Sequence, residues 1–345
     1  MTPIITPCSR RTFVQGASAG VALGALASSA ARALESGARR QELVGTEFDL
    51  EIAEMPVNFT GRASIATAVN GQVPAPLLRV REGDTVTLRV TNRLKEMTAI
   101  HWHGLLLPPE MDGVPGISFP GIEPGATFTY RFTLRQSGTY WYHAHTLHEQ
   151  TGLYGALIVE PRVADRIRAD RDYAVLLSDW TDEQPLQVFL NLKKMGGYYN
   201  FGLPTAAAFV ADLARRGPSG ALARRAMWNR ARMNATDYSD VSAETYTYLM
   251  NGESPAGNWT GIARAGERVR LRFIGAGAAT YFDVRSPGLK LTVVATDGQD
   301  VEPVEVDEFR VGPGETFDAR AGRSRPGRRS RSAPCRPAPS KLPDR

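Results

Sequence analysis

The sequence predicts an all-β protein made of two antiparallel β-sandwich units, the second of which carries a helical insertion. Short segments such as 85–91 and 127–134 alternate apolar and polar residues, which is the period of a half-buried strand. Turn signals such as Glu82-Gly83-Asp84 separate these segments at short intervals. The segment that begins at Arg81 is weakly similar in sequence to the segment that begins at Ala263, which indicates a duplicated unit.

The N-terminal segment predicts an export signal. Arg10 and Arg11 precede a mildly apolar stretch, and Ala31-Arg-Ala33 matches a cleavage site of small residues. We therefore expect residues 1–33 to be a twin-arginine signal peptide that directs the protein to the periplasm through the twin-arginine export machinery. A short helix with a chance arginine pair is the alternative. No membrane insertion is expected, because no apolar run reaches the roughly 18 residues of a membrane span.

The two units are expected at residues 42–161 and 172–318, joined by a charged linker. In the second unit, segments rich in alanine and arginine at 206–215 and 221–232 predict two helices that interrupt the strands. Strand patterns return after these helices and continue to residues 304–311. This order of elements is typical of a sandwich with an inserted helical excursion.

The C-terminal segment differs in composition from the rest of the chain. Residues 319–345 contain eight arginines and five prolines but a single large aliphatic residue, Leu342. Such a segment cannot bury enough apolar surface to order itself. Because the preceding strand pattern ends at Asp318 without a closing strand, we expect a disordered tail from residue 319. A frameshift, an early stop or a natural disordered tail would each produce it.

Charge and cysteine content exclude two classes of protein. The formal net charge is +5, but the excess of basic over acidic residues lies in 1–40 and 319–345. The body between these segments therefore has a net negative charge. A nucleic-acid-binding role would depend on those ends alone, and none is expected. The two cysteines, Cys8 and Cys335, also lie in the end segments. No structural disulfide is therefore expected in the folded body.

The five histidines all lie between residues 101 and 148. They form two H-x-H pairs, His101/His103 and His143/His145, with His148 three residues further on. Alternate residues of a strand point to the same face, so each pair presents two imidazoles together, and neighbouring strands would bring four together. An imidazole cluster without thiolates suits copper. For one H-x-H pair taken alone, packing of the histidines is the alternative to metal binding. His148 is as compatible with a surface position as with the role of a metal ligand.

Four segments of the first unit carry a family resemblance. They are His101-Trp-His-Gly-Leu105, Met111-Asp-Gly-Val-Pro-Gly116, Gly138-Thr-Tyr-Trp-Tyr-His-Ala-His145 and Gly152-Leu-Tyr-Gly155. These motifs resemble the first cupredoxin domain of multicopper oxidases, and in particular the copper-resistance protein A branch. Segments of the second unit, including Leu177-Ser-Asp-Trp180 and Val304-Glu-Val-Asp-Glu-Phe309, fit the same branch. The resemblance covers residues 42–318.

The resemblance implies a fold, a cofactor and a site. It implies two cupredoxin-like domains that bind copper, with His101 as a type 2 ligand. The type 3 ligands it implies are His103, His143 and His145. Asp112 occupies the position of an acidic residue that assists proton delivery to bound dioxygen, although a turn role for Asp112-Gly113 fits equally well. The intact family couples one-electron oxidation of a small reductant, Cu(I) or a phenol, to reduction of dioxygen to water.

The sequence departs from the family pattern beyond His148. A complete trinuclear centre takes as many ligands again from a C-terminal domain, which also holds the type 1 copper in an H-C-H motif. This sequence has no histidine after residue 148. The resemblance therefore implies a C-terminally truncated member without a type 1 site, and oxidase activity is not expected of this chain alone.

Two other functions fit parts of the histidine pattern. A periplasmic copper-sequestering protein would use the same two H-x-H pairs without turnover. A mononuclear enzyme of the cupin type would use His143, His145 and Glu149. The cupin interpretation requires a histidine on a later strand, which the sequence lacks, and it leaves His101 and His103 unexplained.

Overall fold

A computed structural model describes residues 41–195, 198–199, 205–231 and 246–322 of this chain. The predicted signal peptide at 1–33 lies outside the described residues. Among the described helices, none is both long and apolar enough to cross a membrane.

Two facing sheets form the first unit. Its strands are β1 (Glu42–Val44), β2 (Glu47–Val57), β3 (Ser64–Val69), β4 (Ala75–Arg81), β5 (Thr85–Asn92), β6 (His101–His103), β7 (Thr127–Thr133), β8 (Gly138–His143) and β9 (Tyr154–Glu160), with a 3-10 turn at Pro109–Met111. One sheet has the order β1-β4-β9-β8-β6 and the other the order β3-β2-β5-β7. The strand β6, which carries the first H-x-H pair, therefore lies at a sheet edge beside β8, which carries His143.

The alternation of β2 shows why these segments form a sandwich. Phe48, Leu50 and Ile52 are buried, whereas the acidic residues between them are exposed. Such alternation places one face of the sheet in the core and the other in water. The buried face packs against large aromatic side chains, including Trp102 and Tyr142, between the two sheets.

The second unit contains a six-stranded sheet, a two-stranded sheet and two helices. Its elements are β10 (Arg171–Trp180), α1 (Pro185–Lys194), α2 (Ala206–Ala231), β11 (Thr247–Met250), β12 (Val269–Gly275), β13 (Phe282–Arg285), β14 (Lys290–Thr296), β15 (Gln299–Val306), β16 (Glu308–Val311) and β17 (Thr316–Gly322). The large sheet has the order β11-β10-β12-β17-β14-β15, and β13 pairs with β16. The predicted all-β architecture with a helical insertion is confirmed.

The helical insertion follows the predicted division. Helix α2 is interrupted at Gly217-Pro218, between the two helices predicted at 206–215 and 221–232. Proline lacks a backbone N–H and its ring clashes with the preceding turn, so an unbroken helix cannot continue through this position. Arg232 lies outside the described residues.

The expectation that the ordered fold ends at Asp318 is wrong. Strand β17 continues to Gly322 between β12 and β14, where Ala319 lies opposite Leu271 and Val293. Ala319 is fully buried. Ala319 and Ala321 alternate with Arg320, which is the pattern of a short strand. The high arginine and proline content of the segment makes this pattern hard to recognise in the sequence. The rest of the predicted tail, from residue 323, lies outside the described residues.

An apolar contact joins the outer face of the first unit to the second. Trp141, Tyr154 and Ile158 of the first unit pack against Leu176 and Ile274 of the second, and all five are buried. The strand β8, which carries Trp141 and His143, is thus covered on one face by the core of its own unit and on the other by the second unit.

A buried ionic network lies beside this apolar contact. The Asp318 carboxylate, on β17, accepts hydrogen bonds from Thr139 Oγ1 at 2.7 Å and from the Arg270 guanidinium. Arg272 donates to Thr139 Oγ1 at 3.0 Å and to the Asp172 carboxylate at 2.7 Å. Because Thr139 belongs to β8, which carries His143, the network connects this strand to the second unit by hydrogen bonds.

Candidate metal centre

The register between β6 and β8 brings the two histidine pairs together. The strands are antiparallel, with His101 opposite His143 and His103 opposite Trp141. His145 follows in the loop after β8 and its ring centroid lies 4.7 Å from that of His101. The His143 centroid lies 5.4 Å from that of His101 and 5.3 Å from that of His103. The four histidines singled out by the sequence therefore form one imidazole cluster.

The ring nitrogens of this cluster are spaced for metal binding. His101, His143 and His145 each offer one nitrogen, and these three atoms lie within 4.8 Å of one another. His103 Nδ1 lies 3.1 Å from His143 Nε2. A metal with nitrogen ligands at about 2.0–2.1 Å places neighbouring donors roughly 3–4 Å apart. The observed spacings fit this requirement with small adjustments of the rings.

Asp112 contacts the cluster through His101. The Nδ1–H of His101 donates to the backbone carbonyl of Asp112 at 2.7 Å, and a carboxylate oxygen of Asp112 lies 3.4 Å from the same nitrogen. A proton on Nδ1 leaves the lone pair of Nε2 free to face the cluster. The Asp112 N–H also donates to the Pro109 carbonyl at 3.1 Å and closes the 3-10 turn. Asp112 therefore closes a turn and contacts a cluster histidine, and its role in proton delivery stays a prediction.

Glu149 is a second carboxylate at the cluster, and the sequence indicated it only within the cupin alternative. One of its oxygens lies 3.3 Å from His143 Nδ1, which is also 3.1 Å from the Ala144 carbonyl. The turn after β8 returns the chain to the cluster, since the Glu149 N–H donates to the Thr146 carbonyl. No periodic pattern marks such a turn in a sequence.

The packing of aromatic rings fixes His143. Its imidazole stacks on Trp141 with centroids 4.0 Å apart and an interplanar angle of 11°. The His103 ring lies against the same tryptophan at 4.9 Å. His143 is 6% exposed, whereas His145 is exposed. The cluster is thus buried on the side of Trp141 and open on the side of His145.

His148 lies apart from the cluster. Its Nδ1 is 2.8 Å from Thr146 Oγ1, and its Nε2 is 3.9 Å from a carboxylate oxygen of Glu96. Among the described residues, the histidines whose nitrogens converge within 4.8 Å are His101, His143 and His145, and His103 joins them through its 3.1 Å contact with His143. His148 therefore serves as a natural control for experiments on the cluster.

Desolvation favours the neutral form of three of the clustered imidazoles. Desolvation lowers the pKa of His101 and of His145, and desolvation together with the neighbouring His143 lowers the pKa of His103 to about 4. A neutral imidazole keeps a lone pair for a metal. A set of imidazole donors without a thiolate suits copper, zinc and nickel, and copper is the metal that the family resemblance implies.

The metal-free chain is expected to lose stability in mild acid because of His103. The pKa of His103 is about 4 in the folded chain against a usual 6.5. Between these values the unfolded chain binds more protons, so the free energy of unfolding decreases as the pH falls through this window. Urea unfolding at about pH 7, 5.5 and 4 measures this loss, and His103→Gln should lose less. Equal losses in the two proteins would contradict burial of a neutral ring at this position.

Sequence and structure comparisons identify the relatives of this chain. Models of multicopper oxidase domains match residues 51–164 and 223–321. The chain is 55% identical over 313 residues to copper resistance protein A of Pseudomonas syringae pv. tomato, and 53% identical over 313 residues to copper resistance protein A of Escherichia coli. These alignments cover 90% of this chain but 51% and 52% of the two relatives, so the chain spans about half their length.

A solved structure shares the fold. The blue copper oxidase from Nitrosomonas europaea superposes with a TM-score of 0.61 at 30% identity, covering 83% of this chain and 77% of that one. The two cupredoxin-like sandwiches predicted from the sequence are thereby confirmed. With both family models and these relatives in agreement, the chain belongs to the multicopper oxidase family, in its copper-resistance branch.

Proposed function

We propose that His101, His103, His143 and His145 form half of a multinuclear copper centre. His101 would be the type 2 ligand and the other three the type 3 ligands. The observation that carries this proposal is the convergence of four imidazoles from two paired strands and the loop that follows β8. Bound copper would supply one-electron transfer to dioxygen. The protein's own part is to hold the donor nitrogens in place and to protect their protonation states.

Two carboxylates support the ligands in this proposal. The Asp112 carbonyl keeps the proton of His101 on Nδ1, so that Nε2 faces the metal. The Asp112 carboxylate, which is partly exposed, lies 3.4 Å from that nitrogen and would be the acidic residue that assists proton delivery. Glu149 and the Ala144 carbonyl hold the Nδ1 side of His143 in the same way.

The complete family reaction requires more ligands than these four histidines. We propose that a polypeptide equivalent to the other half of the longer relatives supplies the remaining type 2 and type 3 ligands and a type 1 copper. The assembled centre would oxidise a small reductant, Cu(I) or a phenol, and reduce dioxygen to water. The chain itself would contribute the domains at 42–161 and 172–318, exported to the periplasm by the signal at 1–33.

Copper sequestration without turnover is the second candidate. The exposure of His145 favours it, because copper could enter and leave the open side of the cluster without a further domain. Oxygen consumption with a phenolic reductant separates the two candidates when the copper-loaded chain is measured alone and again with a polypeptide equivalent to the other half of the longer relatives. Oxygen consumption that appears when the second polypeptide is added would support the oxidase, whereas copper uptake without oxygen consumption in either measurement would support sequestration.

Removing a cluster histidine is expected to lower the copper content of the chain. His103→Ala and His145→Ala each remove one donor, so the bound copper per chain should fall after dialysis against a weak chelator, as measured by atomic absorption. His148→Ala is the matched control, because this histidine lies apart from the cluster. Circular dichroism should show an unchanged β-fold in all three. Unchanged copper content in the first two variants would overturn the proposal.

A further inference from the structure

A turn of the second unit lies against the ring of His103. The turn is formed by residues 312–315, between β16 and β17. A Cβ atom added to Gly314 would lie 3.3 Å from His103 Cε1 and 3.4 Å from its Nε2. The backbone of the second unit therefore leaves room for little more than a methyl group at the Cε1–Nε2 edge of the imidazole.

The turn is held rigidly where it makes this contact. The Gly314 N–H donates to the Gly275 carbonyl at 2.7 Å, and the Gly275 N–H donates to the Glu315 carbonyl at 2.9 Å. The Glu315 side chain accepts a further hydrogen bond from the Gly312 N–H at 2.7 Å. Since Gly275 ends β12, these bonds fix the turn to the central sheet of the second unit.

His103 thus has neighbours on one face and along two parts of its edge. Trp141 lies against one face of the ring, Gly314 lies at the Cε1–Nε2 edge, and Nδ1 points to His143 Nε2 at 3.1 Å. A side chain added at Gly314 would fill the remaining space between the ring and the backbone of the turn. This backbone cannot yield, because the hydrogen bonds to Gly275 hold it.

We propose that the 312–315 turn is a positioning element that holds His103 with Nδ1 directed at the cluster. The proposal deepens the proposed copper site and rests on it. It gives the second unit a direct part in the geometry of a centre whose histidines all belong to the first unit. Glycine is required at 314 because its φ is +86° and because a side chain would press on the imidazole.

The test compares Gly314→Ala with Gly288→Ala in the full chain. Gly288 has a similar φ of +76° in the same unit, but nothing lies within 4 Å of a Cβ there. Both variants therefore carry the same backbone strain, and only the first presses on His103. Gly314→Asn is a third variant, since asparagine tolerates positive φ and keeps the added Cβ if the alanine variant fails to fold.

Two measurements are made on each protein. Nitrogen-15 spectra of histidine-labelled, metal-free chain report the ring nitrogens, with the His103 signals assigned from their loss in His103→Ala. Copper affinity is measured by competition with a chelator. We expect Gly314→Ala or Gly314→Asn to shift the His103 signals and weaken copper binding by roughly 10- to 100-fold. Gly288→Ala should change neither.

The outcomes separate this proposal from the proposed function. His103 signals that are unchanged in the Gly314 variants, or equally changed in Gly288→Ala, would overturn the positioning role. Shifted signals with unaltered copper affinity would also overturn it, because the ring would then not need to be held. Failure of the wild-type chain to bind copper would overturn the proposed copper site, which the spectra of the metal-free chain do not depend on.

Discussion

Replacing Asp318 by alanine is expected to destabilise the chain by about 3–5 kcal/mol, the usual result of removing one partner of a buried ionic network. Its side chain is 1% exposed and faces Arg270 and Arg272, whose side chains are 5% and 2% exposed. Without Asp318, Arg270 keeps only the Asp165 carboxylate and Arg272 only that of Asp172 among the carboxylates of the described residues. Urea unfolding of the metal-free chain measures the loss.

A surface ion pair provides the matched control for Asp318. Asp283 forms a similar pair with Arg310 at 2.7 Å, but both side chains are largely exposed. Asp283→Ala should therefore cost less than about 1 kcal/mol. A loss of that small size in Asp318→Ala as well would show that the network does not hold the two units together.

Replacing Gly113 by alanine is expected to disrupt both the fold and the metal centre. A Cβ at Gly113 would lie 1.8 Å from the Ile100 carbonyl oxygen and 3.2 Å from His101 Cα. The obstacle is backbone, so it cannot move aside as a side chain would, and His101 must shift away from Asp112. We expect a loss of about 3 kcal/mol from the overlap and the positive φ together. Urea unfolding measures it, and chelator competition should show weaker copper binding.

Gly116 in the same loop is the control for Gly113. Its φ of +76° is close to the +81° of Gly113, but nothing lies within 4 Å of a Cβ there. Gly116→Ala should therefore cost about 1–2 kcal/mol for the backbone conformation alone and leave copper binding unchanged. Equal effects of the two substitutions would indicate strain alone, and the close approach of the Asp112-Gly113 turn to His101 would then have no functional consequence.

Local patterns account for the parts of the fold that the sequence predicted well. The alternation of Phe48, Leu50 and Ile52 with acidic residues follows from the two-residue period of a strand and needs no knowledge of distant contacts. The same reasoning failed at Ala319 and Ala321, because two small residues among arginines give a weak apolar signal. Burial there is decided by the neighbouring strands β12 and β14, which close over β17.

The candidate site, like the fold, was predicted in part from local patterns and in part only seen in the structure. The spacing of His101 with His103 and of His143 with His145 indicated two imidazole pairs, since a strand directs alternate side chains to one face. The role of Glu149 could not be predicted, because it depends on a turn that returns the chain to His143. The contact of Asp112 with His101 is made mainly through a backbone carbonyl, which any residue type could supply.

The sequence by itself determined the strands, the family and the four candidate ligands, because each depends on residues close together in the chain. Only the tertiary structure decided that His101 lies opposite His143, that Asp318 pairs with two buried arginines, and that Gly314 of the second unit lies close to His103. These contacts join residues far apart in sequence. They form because sheets must pair their edges and bury their apolar faces, and that choice is made by the whole chain at once.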